Sequence, residues 1–155
     1  MQHRIKTFAI IVQDHKLLLV MHREPGRAEE FWVLPGGGME SKDEDLMACA
    51  KREAFEETGL AVTPGRLVYF DEFYDRQRDT LHVQLYILAD NFSGAITLDH
   101  TIKEGPLNEH IYDLRWLSQT ELQTLTVFPE ELKSMFWDDL AQGFKQIRYF
   151  GRRSN

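Results

Sequence analysis

The 155-residue sequence contains little cysteine, and its apolar runs are all short. Its only cysteine, Cys49, excludes an internal disulfide, which is typical of proteins in a reducing cytoplasm. We expect Cys49 to be a small packing residue rather than a nucleophile. No stretch approaches the ~20 apolar residues of a membrane helix, and the first residues show no secretory signal pattern. These absences predict a cytoplasmic protein with no membrane partner.

Positive charge is also scarce, since 18 Lys and Arg face 25 Asp and Glu for a net charge of −7. Proteins that bind a nucleic-acid backbone usually carry a basic domain or stripe. We therefore expect no nucleic-acid partner. A small anionic substrate stays compatible with the acidic balance, because a bound cation reverses the local field.

The composition is otherwise that of one globular domain spanning residues 1–155. Apolar residues make up 43% of the chain and aromatic residues 12%, which is enough for a single core. The order of elements is strands, one helix, strands and then helices, which indicates a mixed α/β fold rather than a regular alternation. The predicted strands cover residues 5–12, 17–21, 31–34, 67–74, 81–89 and 111–117.

Local signals set the remaining boundaries. The first two strands are predicted to form a hairpin, and residues 35–38, Pro-Gly-Gly-Gly, to lack regular structure. Ser41 and Glu44 have the spacing of a capping box, which predicts a helix from about Ser41 to Thr58 with Gly59 as its stop. Ser118 and Glu121 repeat the capping signal. The last helix is predicted over 129–144, and the polar tail 151–155 is predicted to fray.

Clustered carboxylates are the strongest chemical signal. Glu53, Glu56 and Glu57 fall on one face of the predicted helix, where like charges repel unless a cation lies among them. All-oxygen ligation favours a hard cation such as Mg²⁺, Mn²⁺ or Ca²⁺. The competing interpretation is a solvated helix face paired with Lys51 and Arg52.

The glycines at 36–38 add backbone groups to the same region. Their carbonyl groups are able to reach a metal, and free N–H groups before a helix suit anionic oxygens. We therefore consider Gly36 and Gly38 candidates for binding substrate. Because Mg²⁺ is often held by one or two carboxylates together with substrate phosphates, the segment indicates chemistry on a phosphate ester or anhydride.

The segment from Gly38 to Leu60 resembles the Nudix box. That pattern is Gly, five residues, Glu, seven residues, Arg-Glu, an apolar residue, any residue, Glu-Glu, any residue, Gly and an apolar residue. The chain supplies Gly38, Glu44, Arg52, Glu53, Ala54, Glu56, Glu57, Gly59 and Leu60 at those places. From average residue usage, a chance match has a probability on the order of 10⁻⁸ per start position. The segments 32–37 and 114–122 are also similar to the family.

The resemblance implies the Nudix fold, a mixed β-sheet sandwiched between α-helices (α/β/α). It implies a Mg²⁺ site, with Mn²⁺ as a substitute, held by Glu53, Glu56, Glu57 and the carbonyl of Gly37. The implied enzyme is a pyrophosphohydrolase that uses a metal-activated water to cut a nucleoside diphosphate linked to another group. The implied partner is a small nucleotide, and family relatives are often homodimers.

The catalytic base is left open by the resemblance. Either Glu53 or a glutamate in the long connection after residue 90 takes the proton of the water, with Glu109 the first distal candidate and Glu104 the second. Arg52 is expected to orient Glu53. Arg23 is the leading candidate to contact substrate phosphates, ahead of Arg76 and Arg78.

The specific substrate is not predicted, because the markers of the family's known subgroups are missing downstream of the box. Two alternatives to nucleotide hydrolysis remain. One is a Nudix-like nucleotide-binding regulatory domain without turnover, which the complete set of box glutamates argues against. The other is a hydrolase of a non-nucleoside diphosphate. A plain calcium-binding module is disfavoured, since the EF-hand pattern is absent.

Overall fold

The computed structural model describes residues 1–26 and 28–155. Its strands are β1 (Gln2–Ile10), β2 (Val12–Gln13), β3 (Lys16–His22), β4 (Phe31–Val33), β5 (Gly36–Gly38), β6 (Ala61–Asp75), β7 (Thr80–Ser93), β8 (Ile111–Ser118), β9 (Val127–Phe128) and β10 (Arg148–Ser154). Its α-helices are α1 (Leu46–Thr58), α2 (Gln119–Leu122) and α3 (Met135–Gln142), and a 3-10 turn covers Glu130–Lys133. Among the described residues, no helix is both long and apolar enough to cross a membrane.

The strands form two sheets of mixed direction. The first has the order β10-β6-β7-β1-β5, with β1 parallel to β7 and β10 parallel to β6. In the second sheet β3 pairs with β8 and with β2 and β4, and β9 adds to β4 in parallel. Helix α1 packs on β1, β5 and β6. The predicted α/β class with a mixed sheet and helices is confirmed.

Strand β3 is buried on both faces, which explains its unbroken apolar sequence. Leu17, Leu19 and Met21 belong to one hydrophobic cluster, and Leu18 and Val20 to the other. The segment that contains the 3-10 turn and α3 packs into the first cluster through Leu132, Phe136 and Phe144. All three of these side chains are buried.

The predicted hairpin of residues 5–12 with residues 17–21 was wrong about which strands pair. The turn joins β2 to β3, with Val12 opposite Leu17. Strand β1 ends at Ile10 and pairs instead with β5 and β7 in the other sheet. The sequence did not indicate this change of sheet, because residues 5–12, which span the end of β1 and the start of β2, form one continuous run that is typical of a single strand.

Helix α1 begins later than the sequence indicated. Its N-cap is Asp45, whose carboxylate accepts a hydrogen bond from the N–H of Ala48 at 2.8 Å, so the Ser41–Glu44 capping box was wrong. Its end is as predicted, with Gly59 at φ 77° donating its N–H to the Phe55 carbonyl. The capping box of Ser118 and Glu121 on α2 is also confirmed.

Three further predictions were wrong. Residues 36–38 form strand β5 rather than irregular chain, because β1 supplies backbone partners for all three glycines. The last helix is interrupted at Ser134, whose φ of −137° and ψ of −80° separate the 3-10 turn from α3. The tail forms β10 and adds to β6, since Phe150 packs on the hydrophobic cluster there.

Strands β6 and β7 are longer than predicted. Pro64 and Gly65 interrupt the apolar pattern of β6, and the sequence therefore indicated a start at Leu67. In the structure the pairing continues past them with register shifts beside Pro64. Such irregular pairing is how a sheet accommodates a proline that lacks a ladder donor.

Candidate active site

The second half of α1 carries the carboxylates that lie against the glycine strand. Glu53 and Glu57 are buried, although both are acidic. They are one helical turn apart and lie on the same side of α1. This burial excludes the interpretation of a fully solvated helix face for these two residues.

Glu109 completes a group of three carboxylates. Glu53, Glu57 and Glu109 each offer an oxygen, and these atoms lie within 4.8 Å of one another. Glu109 lies in the connection between β7 and β8, just before β8 begins. Its N–H donates a hydrogen bond to the Ile102 carbonyl at 2.9 Å. The fold thus joins the box helix to a loop more than fifty residues later in the chain.

Strand β5 has no side chains, and the carboxylates occupy the space this leaves. A Cβ placed on Gly37 would lie 2.6 Å from Glu53 Oε1, far inside contact distance. The N–H of Gly36 donates to Glu57 Oε1 at 3.0 Å. A side chain at position 37 would therefore displace the Glu53 carboxylate from its present place.

Arg52 links several parts of the site. Its Nε and Nη2 donate to the two oxygens of Asp43, each at 2.8 Å, and Nη1 donates to Glu53 Oε1 at 3.0 Å. Nη1 also donates to Glu56 at 3.3 Å, and Nη2 donates to the Gly38 carbonyl at 3.1 Å. A bidentate guanidinium–carboxylate pair fixes the plane of the guanidinium, so Arg52 holds Glu53 in one orientation.

Burial and mutual repulsion act on the acids of this group. Desolvation raises the pKa of Glu53 to about 7, and neighbouring Glu56 adds to the shift. Desolvation, with the charges of Glu53 and Glu56, raises the pKa of Glu109 to about 7. The pKa of Glu57 is raised well above its usual value, first by burial and then by Glu109. The guanidinium of Arg52 instead holds the pKa of Asp43 well below its usual range.

The three carboxylates fit a divalent cation. Their donor atoms are all oxygen, as hard cations require. Glu109 Oε2 is buried and accepts no hydrogen bond from the described residues, so it has an unused lone pair inside the group. Arg52 pairs with Glu53, but no ion pair among the described residues involves Glu57 or Glu109. A metal would supply the positive charge that these two acids lack.

The predicted ligands do not all lie in this group. Glu53 and Glu57 belong to it, whereas Glu56 is more exposed and bonds Arg52. The Gly37 carbonyl lies 3.9 Å from the Cys49 sulfur. Cys49 itself is buried and accepts a hydrogen bond from the Thr7 hydroxyl at 3.1 Å. The ligand roles of Glu53, Glu56, Glu57 and Gly37 all stay predictions.

The predicted substrate contacts lie in different places. Arg23 is beside the Glu109 loop, since its N–H donates to the His110 carbonyl at 3.1 Å, but its guanidinium is paired with Glu30 at 2.7 Å. The Gly36 N–H and Gly38 carbonyl are bonded to Glu57 and Arg52, as described above.

The other arginine candidates lie in the β6–β7 turn. That turn adjoins Gln2, five residues along β1 from the Thr7–Gly37 pair, a separation of about 16 Å along the strand. Arg78 is paired with Asp75 at 2.9 Å. Glu104, the second candidate for the base, is exposed and lies outside the carboxylate group.

Asp43 is the site residue that the sequence analysis missed. It lies in a run of acidic residues before α1, and nothing in its spacing distinguishes it from Glu44, which has the box position. The structure makes the difference plain, because the Asp43 side chain is only 3% exposed and faces Arg52. Glu44 is exposed.

Comparison with known proteins agrees with this geometry. A family model described as the NUDIX domain matches residues 2–137. The diphosphoinositol polyphosphate phosphohydrolase 3-beta of Bos taurus is 42% identical over 78 residues, which are 50% of this chain and 43% of that protein. The diphosphoinositol polyphosphate phosphohydrolase 2 of Mus musculus is 40% identical over 77 residues, which are 50% of this chain and 39% of that protein. The match thus spans less than half the length of these relatives.

Solved structures share the fold at low sequence identity. A NUDIX hydrolase from Nitrosomonas europaea aligns with a TM-score of 0.69 and 23% identity, covering 96% of this chain and 93% of that one. The E. coli ORF135 protein aligns with a TM-score of 0.67 and 20% identity, covering 94% of each chain. With the family match, the complete box and the buried carboxylates in view, the chain belongs to the Nudix family.

Proposed function

We propose that the protein hydrolyses the diphosphate bond of a nucleoside diphosphate linked to another group, with Mg²⁺ as its cofactor and Mn²⁺ as a substitute. The observation that carries the proposal is the meeting of Glu53, Glu57 and Glu109 within 4.8 Å beside the side-chain-free strand β5. Carboxylate oxygens this close together suit a hard cation, which proteins often bind through carboxylates together with substrate phosphates.

Glu53 and Glu57 would hold the metal, with Glu56 and the Gly37 carbonyl as further ligands. When bound, Mg²⁺ offsets phosphate charge and lowers the pKa of an attacking water. The protein's own residues keep the ligands in place. Gly36 fixes Glu57 through its N–H, and Arg52 fixes Glu53 through the bidentate pair with Asp43.

Glu109 is the proposed general base. Its pKa of about 7 is matched to proton transfer near neutral pH, and its Oε2 accepts no hydrogen bond from the rest of the described chain. Glu53 has a similar pKa, but its Oε1 already accepts from Arg52. The unused oxygen therefore favours Glu109 for taking the proton of the water.

A non-nucleoside diphosphate is the second candidate substrate. The relatives that match over half of the chain are named diphosphoinositol polyphosphate phosphohydrolases. Their names describe a diphosphate on a highly phosphorylated ring. The carboxylate group serves either substrate, because it acts on the diphosphate and not on the attached group.

The test is a phosphate-release screen with Mg²⁺, run in parallel with excess chelator. The panel contains nucleoside triphosphates, ADP-ribose, other nucleotide sugars, dinucleoside polyphosphates and a diphosphoinositol polyphosphate. We expect chelator-sensitive release from one class. Glu57→Gln should reduce kcat by about 100-fold or more, since even the outer partners of metal ligands contribute ~10–100-fold.

The matched control is Glu44→Gln, which changes an exposed box residue outside the carboxylate group. It should keep both the activity and the thermal unfolding temperature of the parent in chelator. Glu57→Gln should unfold in chelator at no lower a temperature than the parent, because it removes a buried charge and its amide oxygen still accepts from the Gly36 N–H. Full activity in Glu57→Gln would refute the metal assignment. Tight nucleotide binding without release from any substrate would instead identify a regulatory domain.

A further inference from the structure

A group of basic side chains lies near the carboxylate group, on the face of the first sheet that is opposite α1. Arg4 and Lys6 are two apart on β1 and so share a face, and their partners on β7 are His82 and Gln84. Lys6 is also the partner of Gly38 on β5. We call Arg4, Lys6 and His82 the basic wall.

Two members of the wall lie next to Gly38 of β5. A Cβ placed on Gly38 would lie 3.1 Å from Arg4 Nη2, so the guanidinium covers the glycine next to Gly37. Lys6 is within electrostatic reach of His22 at the end of β3, and His22 also interacts with the backbone of Glu109. Lys6 thus lies near the loop that carries Glu109, and Arg4 lies over the glycine next to the one that Glu53 contacts.

The positive charges of the wall are poorly compensated. Across residues 1–26 and 28–155, the side chains of Arg4 and Lys6 take part in none of the ion pairs or hydrogen bonds described. Burial, followed by the charges of Arg4 and Arg78, lowers the pKa of Lys6, and the opposing effects of Asp75 and Glu24 are smaller.

His82 responds to the same charges. It is buried, and its Nδ1 has no partner among the described groups. Burial and then the charges of Lys6 and Arg4 lower its pKa to about 4, so it is neutral at pH 7. Arg4 is exposed and Lys6 is partly buried, and both side chains carry donors and no acceptor. An anion bound between them would offset the repulsion between the two charges.

We propose that the basic wall binds a phosphate group of the substrate beyond the diphosphate that is cut. This proposal rests on the proposed function, which places the scissile diphosphate at Glu53, Glu57 and Glu109. The substrate class is then a diphosphate extended by at least one more phosphate. That extra group is either part of a longer polyphosphate chain or an ester phosphate on the attached group.

Kinetics on three substrates separate these sources. ADP-ribose carries the diphosphate alone, a dinucleoside polyphosphate carries a longer chain, and a diphosphoinositol polyphosphate carries ester phosphates. The variants are Arg4→Gln, Lys6→Gln and the double variant. Lys145→Gln is the matched control, because Lys145 is exposed and follows α3 near the far end of the chain.

For the extended substrate that is turned over, KM should rise on the order of tenfold to a hundredfold in the double variant, with kcat within about twofold, because uniform binding is lost. KM for ADP-ribose should change by less than about threefold. An equal rise for every substrate, or no rise for the extended one, would overturn the proposal while leaving the proposed hydrolysis intact.

Calorimetry without metal gives a readout that needs no turnover. Inorganic tripolyphosphate should bind the parent protein more tightly than pyrophosphate, and the double variant should lose that difference. Retention of the difference would overturn the proposal. If the difference depends on Arg4 and Lys6 but no substrate is cut, the wall stands as an anion site and the proposed hydrolysis fails.

Discussion

Burial opposes the ionisation of three carboxyl groups in the site, those of Glu53, Glu57 and Glu109. A raised carboxylate pKa means that the folded protein binds more protons than the unfolded chain, so Glu53 and Glu109 destabilise the fold as pH rises from about 4.5 through about 7. The raised pKa of Glu57 acts in the same direction. A bound cation reverses that effect, because it needs the deprotonated ligands.

The first prediction concerns the stabilisation by metal. The difference in Tm between Mg²⁺-loaded and chelator-treated protein should grow from about pH 5.5 to about pH 7.5. With metal ~100-fold above Kd, the stabilisation is about 3 kcal/mol, or about 6–12 °C for a chain of this size. Scanning calorimetry at several pH values measures it. A difference that is flat with pH contradicts the raised pKa values.

Asp43 gives the second prediction at the same scale. Asp43→Asn removes the charge that holds Arg52, and we expect a cost of about 1–3 kcal/mol in unfolding free energy together with a lower kcat. Glu44→Gln is the adjacent control and should stay within about 0.5 kcal/mol. Urea unfolding and kinetics compare the two. Equal effects would show that the box position, not the bidentate pair, orients Arg52.

At the scale of elements, the tail strand β10 is the clearest departure from expectation. Phe150 packs against Tyr69, with ring centroids 4.8 Å apart, and belongs to the main cluster. Tyr149 is 51% exposed and stacks on Phe70. Neighbouring residues of one strand thus face core and solvent alternately, as pairing with β6 requires.

The third prediction uses this alternation. Phe150→Ala should lower the unfolding free energy by about 2 kcal/mol, because a partly buried ring is removed. Tyr149→Ala should cost less than about 1 kcal/mol. Chemical denaturation of both variants is the measurement. Two equally small effects would mean that the tail is frayed, as the polar sequence of its last residues suggests.

The elements that could be predicted from the sequence are those whose interaction partners are close in sequence. The end of α1 at Gly59 and the Ser118–Glu121 cap depend on neighbours in sequence, and both were predicted correctly. Strand β5 depends on β1, about thirty residues earlier, and β10 on β6, about eighty residues earlier. No local propensity favours three glycines or an Arg-rich tail as strand, so only tertiary pairing explains them.

At the scale of the whole molecule, the site joins two distant parts of the chain. The box glutamates were predicted from local helical spacing together with the family pattern. Glu109 was one of two candidates in a long connection, and its inclusion in the group depends on how β7 and β8 place that connection. Sequence alone gives no distance between Glu109 and Glu53, so the choice over Glu104 required the fold.

The fourth prediction tests that assembly. Glu109→Gln should reduce kcat by about 10²–10⁴-fold and remove the rise in rate near pH 7, because the general base is lost. Glu104→Gln, in the same connection but exposed, should leave both unchanged. Rate profiles across pH provide the measurement. An unaltered rate and profile in Glu109→Gln would move the role to Glu53 or Glu104.

The hydrogen bond from the Gly36 N–H to Glu57 makes this amide a spectroscopic reporter. A backbone amide resonance is sensitive to the charge on its acceptor, and here the acceptor is one of the proposed metal ligands. Isotope labelling of glycine alone isolates ten residues from the rest of the spectrum. Titrating protons or magnesium while following that one signal then reports the state of Glu57 directly, in protein that has never been given a substrate.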